Sequence, residues 1–158
     1  MKKEKKQRRG ETPKPYRGHQ SYVNYLGRFV GVFEDVINKQ RTSEREFKKL
    51  FPSSYRLFKS EIKNYVGHST SGTLDEVLKR ERVSLAYNGS NCLIYELCRH
   101  IRNSYCHLLL EIDEDEDKLR VIDKSRGKTT SKGSLSKKAL VDFVKTIVNE
   151  YENLFKKK

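Results

Sequence analysis

Apolar side chains recur at spacings of three and four residues along most of the chain, which is typical of helices that bury one face. Such stripes run through 22–37, 55–66, 74–85, 94–108 and 140–155. A different pattern at 119–130, with apolar residues followed by a Gly-containing turn, predicts a small hairpin. We therefore expect a mainly α protein, a helical bundle of four or five principal helices with one small β-hairpin before the C-terminal helix.

Two helix starts are marked by capping residues. Ser43 is followed three residues later by Glu46, and Thr73 by Glu76. This Ser/Thr-x-x-Glu spacing is the pattern of a capping box, in which each side chain bonds the backbone N–H of the other residue. We expect one helix to begin at each box.

Glycines divide the middle of the chain. The stretch 67–72 is rich in Gly and Ser and is expected to be a loop. Asn88-Gly89 is expected to end the helix that begins after Thr73, because glycine readily adopts the left-handed conformation found after a helix. Ser134 or Ser136 is expected to cap the last helix.

Length and charge indicate the domain organisation. The 158 residues suffice for one domain. The formal net charge is +13, and residues 1–18 contribute +6 of it, from eight basic and two acidic residues. Because this segment lacks apolar periodicity, we expect a disordered basic tail at 1–18 and one folded domain at 19–158. The tail either solubilises the protein or binds RNA phosphates without sequence preference, and both interpretations stay open.

Cysteine usage and hydropathy bear on the compartment. The three cysteines lie in one short segment, and an odd number so close together does not predict a disulfide framework. No stretch approaches the ~20 apolar residues needed to cross a bilayer, and the basic N-terminus has no apolar core behind it. We expect a cytoplasmic protein with reduced thiols and no membrane partner.

The helix predicted from Asn91 has a polar stripe opposite its apolar one. Spacings of three and four residues put side chains on one face of a helix. RNA cleavage without a metal needs a group that titrates near neutral pH and a fixed cation beside the phosphate. The stripe and its two flanking cations supply both kinds of group: Glu96, Arg99, His100, Arg102, Asn103 and His107.

The end of this helix resembles the signature of the HEPN family, an arginine, a polar residue directly after it, and a histidine four to six residues further on. Here the motif reads Arg102-Asn103-Ser104-Tyr105-Cys106-His107. In HEPN domains the motif lies toward the end of a long helix in a bundle, and several branches continue with a hairpin and a final amphipathic helix. The resemblance implies a HEPN-like helical domain over 19–158.

What the resemblance implies for function is a metal-independent endoribonuclease without a cofactor. Arg102 would polarise the scissile phosphate, His107 would be the general base or acid, and Asn103 would orient the phosphate or His107. Two copies of the motif would face one another in a homodimer. Many members have a small residue immediately before the histidine, whereas in this chain Cys106 and the preceding Tyr105 are larger.

The remaining stripe residues are candidates for a supporting role. Glu96 and Arg99 precede the motif by six and three residues. His100 has two interpretations: an ordinary surface histidine, which we favour, or a residue that supports the site or contacts phosphate.

Partners and alternatives follow from the same analogy. RNA is the expected partner, and by family analogy alone the protein is a toxin or phage-defence effector with a cognate antitoxin or regulatory protein. The alternative is a non-catalytic helical module that binds RNA or a protein.

Zinc is disfavoured because no Cys-x2-Cys pair exists, and calcium because Lys118 stands where the turn glycine belongs in an Asp113–Asp117 loop.

Overall fold

The structure, a computed structural model, describes residues 20–39, 41–70 and 72–155, so the tail predicted at 1–18 lies outside the described residues. Within these ranges the helices are α1 (Gln20–Val32, continued by a π-helical turn Phe33–Ile37), α2 (Glu44–Leu50), α3 (Pro52–Leu57, continued by a π-helical turn Phe58–Ile62 and a 3₁₀ turn Lys63–Tyr65), α4 (Leu74–Glu81), α5 (Leu93–Cys106) and α6 (Lys137–Phe155). The strands are β1 (Val66–Ser69), β2 (Leu85–Asn88), β3 (Glu111–Asp113), β4 (Lys118–Arg120), β5 (Asp123–Ser125) and β6 (Lys128–Ser136).

These six strands form one mixed sheet with the order β1-β2-β6-β4-β3, and β5 also pairs with β6. β1 and β2 are parallel, and the other pairs are antiparallel. The long strand β6 is the centre of the sheet, because Ser131 pairs with Tyr87 of β2 on one edge and with Asp123 of β5 on the other. β4 continues the β5 edge further along β6.

The expectation of a mainly α bundle with one small hairpin is wrong: the protein has an α/β fold. Stretch 67–72, expected to be a loop, contributes most of β1, and the residues before Asn88-Gly89, expected to be helical, form β2. α4 ends at Glu81, and Arg82 then adopts the left-handed conformation, with φ of 52°. Strands of four residues are too short to show an alternating pattern of apolar and polar residues. The apolar residues that begin β1 and β2 therefore fit the helical spacing of the segments before them.

Both predicted capping boxes are confirmed. At the start of α2, Ser43 accepts from the Glu46 N–H while the Glu46 side chain accepts from Ser43 N–H. Thr73 and Glu76 make the same reciprocal pair at the start of α4. Ser136 accepts a hydrogen bond from Ala139 N at 3.3 Å, which supports the first turn of α6. Local side-chain chemistry therefore marks these three helix starts.

The core lies between the sheet and the helices. Phe143 of α6 stacks with Phe47 of α2 and contacts Phe58 after α3, and all three rings are buried. Glu150 of α6 accepts from Ser53 N at 2.6 Å and from Ser54 N at 3.2 Å, which satisfies backbone donors at the start of α3. α6 thereby determines where α2 and α3 pack.

α1 and α6 lie side by side and run in the same direction. Lys137 at the start of α6 contacts the Tyr22 ring, and Tyr151 near its end donates to Asp35 at 2.6 Å. None of the helices in the described ranges combines the length and apolar character needed to cross a membrane. Cys98 is a buried free thiol, whereas the thiol of Cys106 is exposed.

Gly133 should be essential to the sheet. Its φ is +134°, and a Cβ there would lie 2.2 Å from the Ser84 carbonyl oxygen of the neighbouring chain segment. We expect Gly133→Ala to lower the free energy of unfolding by roughly 3 kcal/mol, through strain and backbone displacement. Urea denaturation followed by circular dichroism measures the change.

Gly127→Ala is the matched control, because Gly127 also has a positive φ, of +76°, but a Cβ there meets no atom within 4 Å. It should cost only the conformational strain, about 1 kcal/mol. Equal losses in both variants would contradict the steric explanation.

Candidate functional site

The motif lies at the C-terminal end of α5, where the helix closes on His107. His107 N–H donates to the Asn103 carbonyl oxygen at 2.9 Å, and Leu108 then adopts a left-handed conformation with φ of 57°. This position after a helix usually holds glycine, because a side chain there is strained by about 1–2 kcal/mol. The helix therefore ends at His107 although the backbone conformation of Leu108, directly after it, is strained.

Glu96 and Arg99 form the part of the polar stripe that anchors α5. Glu96 is 1% exposed and accepts from Arg99 Nε at 2.8 Å and from Asn91 Nδ2 at 2.8 Å. Arg99 also donates to the Asn88 carbonyl oxygen at 3.2 Å. A Cβ at Gly89 would lie 2.1 Å from the Glu96 side chain, so the glycine permits this packing. The pair attaches α5 to the end of β2.

His100 is fully buried, and the expectation of a surface histidine is wrong. Its Nδ1 lies 3.0 Å from Asp123 Oδ2, and its Nε2 lies 2.6 Å from the Asn88 carbonyl oxygen. Arg99 Nη2 is further from Nε2, at 3.3 Å. Because a carboxylate and a carbonyl oxygen can only accept, both short bonds form when each ring nitrogen carries a hydrogen. The ring therefore bridges Asp123 of β5 and the end of β2.

Asn103 connects the buried pair to Arg102. Its Nδ2 donates to Asp123 Oδ2 at 3.2 Å, and its Oδ1 accepts from Arg102 Nη1 at 2.9 Å. An amide offers a donor toward the carboxylate and an acceptor toward the guanidinium at once. This explains why an asparagine suits the position directly after the arginine.

Arg102 is held from two sides. Besides Asn103, its Nη2 lies 2.6 Å from Glu34 Oε1, on the π-helical turn that follows α1. Its side chain is 29% exposed. In the described part of the chain the buried Arg102 Nε makes no hydrogen bond, so the guanidinium keeps unused donors. Because Nε is buried, an anion would have to bind through the remaining hydrogens of the two Nη groups, each of which has one partner here.

His107 lies at the exposed end of the network. Its side chain is 56% exposed, and its Nδ1 lies 4.0 Å from Asp123 Oδ1, which is longer than a hydrogen bond. The contacts thus run continuously from Glu34 through Arg102, Asn103 and Asp123 toward His107. The structure places Asn103 and His107 next to the Asp123 carboxylate and joins Arg102 to it through Asn103. Glu96 and Arg99 lie further along α5 and contact the end of β2.

Asp123 supplies the charge that organises this network. Burial by itself raises the pKa of Asp123, because it disfavours the charged form. The hydrogen bonds from His100 and Asn103, together with the charge of His100, outweigh burial, and the pKa lies below its ordinary value of 3.8. The group is therefore a carboxylate throughout the physiological range.

Sequence reasoning missed Asp123 and Glu34. Asp123 directly follows the apolar pair Val121-Ile122 in the segment predicted to be a hairpin. This apolar neighbourhood is the local sequence signal that the acid could be buried. Glu34 lies on the polar side of α1, where a glutamate is ordinary. Both reach the motif only through the fold.

As for metals, no group of three or more His, Cys, Asp or Glu within the described ranges is placed to hold an ion.

Comparisons of the chain with protein-family models, curated proteins and solved structures find no match. The resemblance to the HEPN family stays a prediction that rests on Arg102, Asn103 and His107. The chemistry of the site must therefore be argued from its own geometry.

Asp123→Asn tests the charge network through the pH dependence of stability. Since the folded-state pKa is depressed, the carboxylate stabilises the fold above pH 3.8, and this contribution is lost as the pH falls through the folded-state value. The variant should lose about 2 kcal/mol of unfolding free energy at pH 7 and progressively less below pH 3.8. Urea titrations between pH 3 and pH 7 measure the difference.

Asp115→Asn, at an exposed position in the turn between β3 and β4, is the control and should stay within about 0.5 kcal/mol of the wild type. A difference between Asp123→Asn and the wild type that does not change with pH would show that the carboxylate charge is not what stabilises the network.

Proposed function

We propose that the protein is a metal-independent endoribonuclease, similar to HEPN nucleases, that cleaves single-stranded RNA to a 2′,3′-cyclic phosphate and a 5′-hydroxyl. The observation that supports this most is that Arg102 and His107 stay accessible on a network whose connecting carboxylate is buried. Since the expected helical bundle is wrong, the proposal rests on this site and not on the fold.

Arg102 is suited to stabilise charge on a phosphate. A guanidinium has five N–H donors, and the hydrogen bonds to Asn103 and Glu34 use only part of them. Its position is fixed before substrate arrives, which is the condition under which a cation stabilises a developing phosphorane most effectively. Asn103 holds the guanidinium plane while Asp123 holds Asn103.

His107 is suited to transfer a proton. Its imidazole is the exposed titratable ring at the end of α5, and its Nδ1 faces Asp123. An imidazole with exposed surface can exchange a proton with an oxygen of a bound RNA. The strained Leu108 directly after it keeps the helix from continuing past the ring.

The charge of the chain favours an RNA partner. A net charge of +13 attracts polyanions and makes binding sensitive to salt. We place its action in the cytoplasm, where Cys92, Cys98 and Cys106 would remain the free thiols that they are here. A role as a toxin or phage-defence effector, with a cognate antitoxin or regulatory protein, is part of the proposal by analogy alone.

One observation favours the alternative, a non-catalytic module that binds RNA or a protein. Glu96, Arg99 and His100 are engaged in contacts that attach α5 to β2 and β5, so much of the polar stripe has a purely structural explanation. Under this alternative Arg102 and His107 would only bind. The activity measurement below separates the two.

Removal of either reactive group should abolish most cleavage. Arg102→Ala and His107→Ala should each lower the single-turnover rate on a labelled single-stranded RNA, in EDTA, by at least ~10²-fold, because one loses charge stabilisation and the other proton transfer. Folding should survive, since both side chains are partly exposed. Circular dichroism and the urea midpoint check this.

Arg45→Ala, which removes the same charge at an exposed position of α2, is the control and should cleave at nearly the wild-type rate. Tight binding of RNA by the wild type without any cleavage would favour the binding module. Full activity of His107→Ala would reject the proposed chemistry.

A homodimer is the assembly that the resemblance implies. Leu108 is 46% exposed beside His107, and a large apolar side chain at that place is one that a second copy would cover. The wild type should sediment as a dimer and Leu108→Glu as a monomer. Leu154→Glu, at a leucine that is 50% exposed on α6, should remain dimeric. A wild-type monomer at all concentrations would contradict the dimer.

A further inference from the structure

Cleavage of RNA by its own 2′-hydroxyl requires two proton transfers, one from the attacking oxygen and one to the leaving oxygen. One His107 imidazole can perform only one of them in a single pass, and within one subunit the second transfer needs another group. We propose that Glu34 is the second proton-transfer residue, the general base that takes the 2′-hydroxyl proton beside Arg102, with His107 as the general acid. This inference rests on the proposed ribonuclease function and names a residue that the motif does not contain.

Accessibility distinguishes Glu34 from the other carboxylates of the site. The Asp123 side chain is 3% exposed and accepts hydrogen bonds from His100 and Asn103. Glu96 is 1% exposed and accepts from Arg99 and Asn91. The Glu34 side chain is 44% exposed. Of these three carboxylates, Glu34 is therefore the one that a ribose hydroxyl can reach.

The contact with Arg102 places Glu34 where the base must be. Its Oε1 lies 2.6 Å from Arg102 Nη2. A phosphate that binds the guanidinium brings its ribose within a few ångströms of whatever else the guanidinium touches, which here is the Glu34 carboxylate. The second oxygen of that carboxylate keeps lone pairs that can accept a proton.

The backbone that carries Glu34 is unusual. Phe33–Ile37 is a π-helical turn, closed by the Asn38 N–H, which donates to the Phe33 carbonyl oxygen at 2.7 Å. Such turns are rare and occur frequently at functional sites. Phe33, Val36 and Ile37 are buried, so the turn is anchored on both sides of the carboxylate. Glu34 is therefore presented from a rigid support.

The chain of contacts keeps Glu34 and His107 apart. Glu34 lies at one end of it, Arg102 follows, and His107 lies beyond Asn103 and Asp123 at the other end. An in-line displacement needs a separate base and acid, which act on opposite sides of the phosphorus.

The reaction step is balanced without a further reactant. Glu34 takes the proton of the 2′-hydroxyl, and the oxygen forms a bond to phosphorus. The bond between phosphorus and the 5′-oxygen breaks, and the His107 imidazolium gives that oxygen a proton. Arg102 holds a non-bridging oxygen throughout. The products are the cyclic phosphate and the 5′-hydroxyl, and no oxidation or reduction occurs.

The pH profile of Glu34→Gln tests this assignment. Single-turnover cleavage of a single-stranded RNA in EDTA is measured between pH 3 and pH 9. A carboxylate base and an imidazolium acid should give the wild type a bell-shaped profile. Glu34→Gln keeps the shape of the side chain but cannot take a proton, so its rate should fall about 10²-fold and the rise on the acid side should disappear.

Two further measurements separate chemistry from binding and folding. Affinity for a 2′-deoxy analogue, which cannot react, should be equal or higher in Glu34→Gln, since the variant removes a negative charge beside the phosphate site. Glu152→Gln is the matched control, because Glu152 also pairs with an arginine of the α1 face, Arg28, outside the site. Its rate and pH profile should match the wild type.

The outcomes are distinct. A Glu34→Gln protein with the wild-type rate and profile would overturn the role of Glu34 and leave the ribonuclease intact. A faster variant would also overturn it, because Glu34 would then compete with phosphate for Arg102. A wild type that cleaves no RNA would overturn the proposed function and this inference with it.

Discussion

The carboxylate of Asp123 must be neutralised where it lies, because a charged group with 2% exposure costs several kcal/mol unless it is paired and hydrogen-bonded. His100 and Asn103 meet this requirement from adjacent positions on one face of α5. The helix can rotate or slide over β5 only by breaking both bonds. One buried charge therefore fixes how α5 lies on the sheet, and with it where Arg102 and His107 reach the surface.

Local interactions explain the parts of the fold that sequence reasoning predicted correctly. The capping boxes at Ser43 and Thr73 involve residues three positions apart, and the stripe of α6 repeats over five turns. β1 and β2 depend on distant partners instead. β2 pairs with β6 across more than forty residues, and four-residue strands with buried faces read like helix segments. The α/β class could not be predicted from periodicity for this reason.

The same difference between local and long-range contacts applies to the residues of the candidate site. Helical spacing placed Arg102, Asn103 and His107 near one another, because all three lie within the last turns of α5. Helical spacing could not show that His100 is buried, because nothing in the sequence of α5 indicates that β5 packs over this position. Asp123 and Glu34 come from other elements and enter the site through tertiary contacts.

Burial divides the ionisable groups of the site into two kinds with different capacities. Glu96 and Asp123 are buried and satisfied, so they can only hold neighbours in place. Glu34, Arg102 and His107 retain exposed surface, so they can exchange a partner for a ligand. Because Arg102 is joined through Asn103 to the buried Asp123, its position is set before a ligand binds. An arrangement that served stability alone would not need charged groups kept accessible at the end of α5, since exposed ion pairs contribute little to folding.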